Sequence, residues 1–194
     1  EEARRSVLVR ALAVYVNSKL QEGDLYSVRD VLREADKKGL LEGGLKDLKA
    51  RVEALVESQE KLTALELHVN AVVELLNRGA VDEQTLQGLR STLNDARRAV
   101  EANRDLLPQQ VFDNLSRLEA YAEDLVAYAR LASRFKPVAD AVRQMSQEEV
   151  ESSKQAGDLA SRARELSKQV EGLLSDISRA QFRTSEYRSA TYKP

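Results

Sequence analysis

The chain has 194 residues, 30 basic and 32 acidic side chains, a formal net charge of -2 and no cysteine. The near balance of charge leaves no clustered basic surplus of the kind that nucleic-acid binders usually carry. The lack of cysteine excludes disulfides and thiolate metal sites, and no apolar run is long enough to cross a bilayer. We therefore expect a soluble protein that does not bind nucleic acid, in a compartment that the sequence leaves unknown. Because the chain begins at Glu1 rather than methionine, we expect any targeting peptide to have been removed already.

Leucine, valine and alanine recur at alternating three- and four-residue steps, which is the pattern of helices that pack lengthwise on other helices. The first helix is predicted over Glu2–Gln21 and the second over Leu25–Lys38. Gly23 is suited to end the first helix, and Asp24 is suited to cap the second. These two elements predict a short helical hairpin at the N-terminus.

The third helix is predicted over Leu45–Arg78, with Gly79 as the residue that ends it, and the fourth runs from a cap at Asp82 to near Arg104. Polar residues in the third seam either fix register from a buried position or lie at a wet edge of the bundle, and we favour the wet edge. The third seam comprises Leu45, Leu48, Val52, Leu55, Gln59, Leu62, Glu66, Val69, Val73 and Leu76, and the fourth comprises Leu86, Leu89, Leu93, Ala96 and Val100.

The fifth helix is predicted to begin at the turn with Pro108 and to stop before Pro137, since proline cannot donate a helix hydrogen bond. The sixth region runs from Pro137 to about Arg183. Ser146 and Glu149 fit a capping box that would start a new helix, yet the seam continues through them, which favours one continuous helix. The fifth seam is Val111, Leu115, Leu118, Ala122, Leu125, Ala129 and Ala132, and the sixth includes Ala156, Leu159, Ala163, Leu166, Val170, Leu173, Ile177 and Ala180.

Short connections between long helices place consecutive helices antiparallel. The predicted fold class is all-α: an elongated antiparallel helical bundle with coiled-coil-like heptad packing, preceded by a short N-terminal helical hairpin. The predicted domains are a hairpin over 1–42, the bundle over 45–183 and a polar, flexible tail over 184–194. The residues predicted to be largely buried are Leu89, Leu93, Leu115, Leu118, Leu125, Leu166, Val170 and Leu173.

The sequence contains no recognisable catalytic constellation. His68 is the only histidine, and Leu65 stands where the helical di-iron signature requires glutamate. There is no glycine-rich phosphate loop and no nucleophile elbow. We therefore predict a protein that is not an enzyme, with no catalytic residue, cofactor or metal ligand. His68 is interpreted as an ordinary surface or boundary residue.

The C-terminal segment combines basic residues with aromatic residues at five-residue steps. Such a segment can be a short docking motif or an ordinary disordered terminus. Under the docking interpretation, aromatic rings supply apolar contact while cations steer the approach to an acidic surface. The residues predicted to bind a partner are Phe182, Arg183, Tyr187, Arg188, Tyr192 and Lys193.

These features predict a non-catalytic structural or adaptor protein, a helical scaffold subunit that mediates protein–protein interactions in a larger assembly. The alternative is a peripheral membrane protein whose bundle lies along a bilayer. The apolar run Ser6–Val16, which Arg10 interrupts, is the one candidate for an exposed apolar helix in that case. Protein partners are favoured over a membrane surface, and self-association through the seams is a further possibility. No resemblance to a known family is identified.

Overall fold

The computed structural model describes residues 2–184, and within that range every regular element is helical. A single 3₁₀ turn at Arg104–Leu106 links the fourth and fifth helices. The prediction of an all-α protein is confirmed. The six α-helices are α1 at Glu2–Gln21, α2 at Leu25–Lys37, α3 at Gly44–Asn77, α4 at Glu83–Ala102, α5 at Gln109–Gln147 and α6 at Ser153–Arg179.

Local sequence signals account for the boundary between α3 and α4. Gly79 has φ 66° and its amide donates to the Leu76 carbonyl at 2.9 Å, while the next amide donates to the Leu75 carbonyl at 2.9 Å. Asp82 accepts hydrogen bonds from the Thr85 hydroxyl and amide, each at 2.7 Å. These bonds stabilise the charged carboxylate and hold the pKa of Asp82 below its usual range. The predicted C-terminal glycine and N-terminal cap are both confirmed.

The predicted end of the fifth helix at Pro137 is wrong, because α5 continues through this proline to Gln147. Proline removes one hydrogen bond to the carbonyl four residues earlier, which here belongs to Ser133. Ser133 and Pro137 are both exposed, so water can satisfy that carbonyl. Ala129 and Val138, on either side, are buried and anchor the helix across the missing bond.

The predicted continuous helix through Ser146 is also wrong. Ser146 lies in the last turn of α5, and α6 begins only after Ser152, whose side chain accepts a hydrogen bond from the Gln155 amide at 3.3 Å. In the connection, Glu148 accepts bonds from Arg162 at 2.8 and 2.9 Å. The break therefore has its own cap and an ion pair to α6, and it lies several residues beyond the predicted capping box.

The described chain divides into two compact units, residues 2–68 with 88–118 and residues 69–87 with 119–184. We call these unit 1 and unit 2. The predicted division into a hairpin over 1–42, a bundle over 45–183 and a tail over 184–194 stays a prediction.

In unit 1, α1, α2 and the first half of α3 share one apolar core. Leu32 and Val28 of α2 are completely buried there, and Leu12 and Leu20 of α1 pack against it. Turns at Gly23 and Gly39 flank α2. Its apolar residues pack with those of both α1 and α3. The buried members of this core are Val16, Val28, Leu32, Ala35, Leu41, Val52 and Val56.

The residues predicted to form the helix seams are buried to different degrees. In α4 every seam residue from Leu86 to Val100 is buried. In α3, Gln59 and Glu66 are exposed, in agreement with the wet-edge interpretation, and Leu65 is buried instead of its polar neighbour. Further buried α3 residues are Val52, Ala54, Val56, Ser58, Leu62, Val69 and Val72.

In unit 2, α5 and α6 run antiparallel, since Arg134 pairs with Asp176 at 2.6 Å and Glu148 pairs with Arg162. Leu173 is the one α6 residue that is fully buried within the described chain.

The prediction of burial is confirmed for Leu89, Leu93, Leu115, Leu118, Leu125 and Leu173. It is wrong for Leu166 and Val170, which are only half-buried. The reason is that a seam indicates which face turns inward but not how completely a neighbour covers it.

This difference predicts unequal costs for two leucine truncations in unit 2. Leu125 is fully buried, so Leu125→Ala removes transfer energy and leaves a cavity, at a cost of about 2–5 kcal/mol. The half-buried Leu166 can be replaced with a smaller loss, because water already reaches that site. Chemical denaturation of both variants measures the difference in unfolding free energy. Equal losses at the two positions would contradict this burial pattern.

Candidate functional site

A buried carboxylate on α5 binds the segment that follows α6. Asp124 is only 3% exposed and accepts hydrogen bonds from the Arg183 amide at 2.9 Å, the Thr184 amide at 2.5 Å and the Thr184 hydroxyl at 2.7 Å. A buried charge is costly unless donors surround it, and these three donors replace the lost water. Asp124 therefore fixes the backbone at Arg183 and Thr184.

Two further contacts hold the same segment on unit 2. Phe182 is buried, and the Arg183 guanidinium pairs with Glu123 at 3.1 Å on the partly exposed side of α5. The exposed pair adds little stability, whereas burial of the phenyl ring contributes the larger apolar term. We call residues 182–184, with Asp124, the C-terminal latch.

The structure brings together two of the six residues predicted to bind a partner. Phe182 and Arg183 belong to the latch, where the ring is turned into the protein. The predicted tail overlaps the latch at Thr184, so a deletion that begins at Ser185 leaves the Asp124 contacts intact. Partner binding through this region stays a prediction. The other four residues, Tyr187, Arg188, Tyr192 and Lys193, lie outside the described residues.

Sequence reasoning missed Asp124, although a weak signal was present. The residue stands between the seam residues Ala122 and Leu125, two positions before the buried Val126. A carboxylate next to a seam usually points toward water, so its sequence position alone does not distinguish the two environments. The donors that stabilise it come from about sixty residues farther along the chain, and no local pattern identifies them.

The second candidate site is on α1, which carries apolar residues on opposite sides. Its inner side contributes the buried Val16 to the core of unit 1. On the other side, Val7 is 66% exposed and Val14 is 70% exposed. These residues follow the three- and four-residue spacing of one helix face. We call this surface the outer face of α1, and it consists of Ala3, Val7, Leu8, Ala11, Val14 and Tyr15.

An open groove of about 490 Å³ adjoins the outer face between α1 and α2. Its floor is apolar, and charged residues of α2 form its far edge. At that edge, Lys37 donates a hydrogen bond of 2.6 Å to the Glu34 carboxylate. This bond stabilises the charged form and lowers the pKa of the Glu34 carboxyl, so that the group is ionised at neutral pH. The α1–α2 groove is lined by Leu8, Ala11, Leu12 and Tyr15 of α1, by Asp30, Val31, Glu34 and Ala35 of α2, and by Lys38 and Leu40 after it.

The charge on α1 has a single sign over most of its length. No aspartate or glutamate occurs between Ala3 and Gln21. Arg5 and Lys19 each pair with a carboxylate of unit 1, at 2.7 and 2.6 Å. Within residues 2–184, Arg4 and Arg10 are exposed and form no ion pair. The outer face is thus an apolar strip that also carries the exposed cations Arg4 and Arg10.

The side chain of His68 forms contacts that hold two helices together. Its Nδ1 lies 2.9 Å from the Thr92 hydroxyl oxygen, and that hydroxyl donates to the Gly88 carbonyl at 3.1 Å. Because the hydroxyl proton is used in that bond, Nδ1 is the donor and the proton is assigned to it. The imidazole is half-buried, and a Cβ atom on Gly88 would lie only 3.2 Å from ring atom Cε1. His68 therefore ties α3 to α4 in unit 1.

Comparison with known proteins gave no matching family model, no matching curated protein and no matching solved structure. Among the described side chains, no group of three or more histidine, aspartate or glutamate residues is arranged to hold a metal ion. No helix between residues 2 and 184 combines the length and apolar character needed to span a membrane. The C-terminal latch and the outer face of α1 are thus recognised only by their own contacts and solvent exposure.

The latch predicts a marked difference between two neighbouring isosteric changes. Asp124→Asn places an amide group against at least one of the three donors, and we expect unfolding free energy to fall by about 1–3 kcal/mol. Glu123→Gln removes the charge that pairs with Arg183, and an exposed pair of this kind contributes about 0–1 kcal/mol. Denaturation measures the stability, and hydrogen exchange measures protection of the Arg183 and Thr184 amides. Unchanged protection in Asp124→Asn would show that the carboxylate does not hold this segment.

Proposed function

We propose that this chain is a non-catalytic structural or adaptor protein, a helical scaffold subunit that mediates protein–protein interactions in a larger assembly. The observation that carries the proposal is the outer face of α1. Val7 and Val14 there are each about two-thirds exposed, and Leu8 and Tyr15 extend the same apolar surface into a groove.

An apolar strip of this kind favours a protein partner for energetic reasons. Soluble proteins seldom leave a large contiguous apolar patch in water, and such patches mark interaction surfaces. Association removes Val7, Val14 and their neighbours from water, and each fully buried side chain of that size contributes about 1.5–3 kcal/mol. The exposed Arg4 and Arg10 would add direction by attracting carboxylates of the partner.

The lengthwise heptad packing expected from the sequence is part of the same proposal. We infer that the helices associate lengthwise through heptad seams in an elongated antiparallel bundle. The complete burial of the α4 seam, from Leu86 to Val100, supports this proposal. Long helices joined by short connections present continuous surfaces, which suits a subunit that holds other proteins at fixed positions.

The C-terminal region is a second proposed contact. The latch gives the chain a fixed exit at Thr184, and the residues beyond it carry the predicted motif of Tyr187, Arg188, Tyr192 and Lys193.

A membrane surface is the competing function for α1. The absence of acidic residues between Ala3 and Gln21 favours it, because an interfacial helix combines cations with an apolar face. The α1–α2 groove favours protein, because its apolar floor is concave. A concave apolar surface also receives a side chain or helix more readily than it lies flat on lipid.

The proposal predicts that Val7→Glu with Val14→Glu abolishes protein binding without unfolding the chain, since both residues are exposed. Leu67→Glu, at a residue 65% exposed on α3, is the matched control. Each immobilised protein is tested for capture of proteins from the native cell extract and for co-sedimentation with anionic vesicles. We expect the α1 variant alone to lose protein capture.

Two results would contradict this function. Equal capture by the wild-type, the α1 variant and the control would show that the outer face binds no protein. Vesicle binding that depends on Val7 and Val14 would instead assign α1 to a membrane surface.

A further inference from the structure

We propose that the α1–α2 groove binds an amphipathic helix of another protein, and that this helix carries acidic residues at the end that reaches Arg4 and Lys38. The inference rests on the proposed function, because it names the chemistry of the partner for the outer face of α1. It depends on three observations in unit 1: the shape of the apolar surface, the ion pairs that already exist along the groove, and the position of the two cations that these pairs leave over.

The apolar surface is longer and wider than the groove alone. A shallow hollow of about 430 Å³ adjoins the groove through Leu8, and it is lined by Ala3, Arg4, Val7 and Leu8. At about 1.5 Å per residue, the surface from Arg4 to Tyr15 extends for about 16 Å, which is about three helical turns. The exposed Val7 continues this surface across α1.

This shape favours a helix over a smaller or a flatter occupant. Two packed helices form a groove that receives the apolar ridge of a third helix, with contacts at i, i+3 or i+4, and i+7. A helix is about 10 Å wide with its side chains, so it covers the groove and the exposed valines together. A free fatty acid would fill only the groove, which is too open to enclose most of a small ligand's surface. A bilayer surface is flat and would not follow the concave floor.

The carboxylates along the groove already have cations of this chain beside them. Asp30 pairs with Arg29 at 3.1 Å, and Glu34 pairs with Lys37 at 2.6 Å. The hydrogen bond from Lys37 and, to a smaller extent, the charge of Lys38 lower the pKa of the Glu34 carboxyl. Because each carboxylate has its own cation, Asp30 and Glu34 do not give the groove a net negative charge.

Two cations at one end of the groove are left without a carboxylate. Arg4 and Lys38 are exposed, and neither forms an ion pair with another described residue. The Arg5 guanidinium donates to the Gly39 carbonyl at 2.9 Å, so the start of α1 meets the end of α2 and brings both cations to the same end. Arg5 itself pairs with Glu42 at 2.7 Å. This end of the groove is therefore positive and complements carboxylates of a partner.

The spacing on α1 gives the pattern expected of the partner helix. Arg4 precedes Leu8 by four residues, so it lies one turn beyond the groove on the same side of α1. The partner's apolar residues would contact Leu8 and Tyr15, and its acidic residues would follow within about one turn of the last apolar contact. Apolar burial supplies most of the affinity, while the charges select the partner and its direction along the groove.

The test uses the purified full chain and two synthetic peptides of about 18 residues, a length that can form a helix on binding. Both peptides carry leucine at the helical spacing, and one ends in a run of glutamates while the other ends in a run of lysines. Isothermal titration calorimetry measures each dissociation constant. We expect the acidic peptide to bind at least about tenfold more tightly than the basic peptide, with a smaller difference at high salt. Equal affinity for the two peptides would overturn the inference.

The apolar part of the contact is tested at Val7. Val7→Glu should weaken binding of the acidic peptide by about tenfold or more, because it removes an apolar contact and places a like charge against the peptide. Leu67→Glu, equally exposed but on α3, should leave the dissociation constant unchanged.

The charged end is tested by combining Arg4→Glu with Lys38→Gln. Glutamine is chosen at the second position because a carboxylate there would oppose the C-terminal dipole of α2. We expect this variant to bind the acidic peptide about tenfold more weakly and the basic peptide more tightly than the wild type does. Arg51→Glu with Lys61→Gln makes the same change of charge at exposed residues of α3 and should leave both affinities unchanged.

The remaining outcomes separate this inference from the proposed function. If neither peptide binds but Val7 and Val14 are needed to capture proteins from the native extract, the acidic helix is overturned and the adaptor function stands. Binding of anionic vesicles that depends on Arg4 and Lys38, without binding of either peptide or capture of protein, overturns both. A preference for the acidic peptide that persists in Arg4→Glu with Lys38→Gln places the site elsewhere and overturns the inference.

Discussion

The structure depends on the removal of apolar helix faces from water, and α1 carries two such faces. Its inner side joins α2 and α3 around Val16, Val28 and Leu32, where no solvent reaches the side chains. Helices of this length gain most of their stability from such packing rather than from intrinsic propensity. The outer face contains the same kinds of residue but is open to water. That imbalance is what makes α1 the best candidate for an interaction surface.

Polar groups are buried only where the chain supplies partners for them. At Asp124 two backbone amides and one hydroxyl surround the carboxylate, so the charge is satisfied within unit 2. This arrangement differs from a surface ion pair, because the donors are mostly fixed by the backbone and lose little side-chain entropy when they bind. The latch therefore specifies one docked geometry for residues 182–184, whereas the neighbouring pair of Arg183 with Glu123 mainly adds direction.

The two candidate surfaces suit the proposed adaptor function. Each one works through apolar area and charge position, and neither brings together a nucleophile, a base and a cleft. The same physical terms that hold the helices together would govern binding, so affinity can be tuned by exposed residues such as Val14 without a cost to folding. Under the proposed function, the residues that maintain the core are different from those that would contact a partner.

The sequence by itself determined the helical class, several helix ends and much of the inward-facing pattern. Gly79 and Asp82 could be assigned because a helix end is set by hydrogen bonds within a few residues. The α4 seam could be assigned because its apolar residues follow one unbroken helical period. Local backbone chemistry and periodicity are both visible in a single chain.

Only the tertiary structure decided where a local rule is overridden and which faces remain uncovered. Pro137 stays inside α5 because buried neighbours on both sides outweigh one lost hydrogen bond, and water can reach the freed carbonyl. Asp124 is buried because donors arrive from a distant part of the chain. Leu166 and Val7 follow apolar spacing as faithfully as Leu89 does, yet they differ in exposure. The spacing defines a face, but burial depends on the surface that lies opposite, and that is a property of the folded chain.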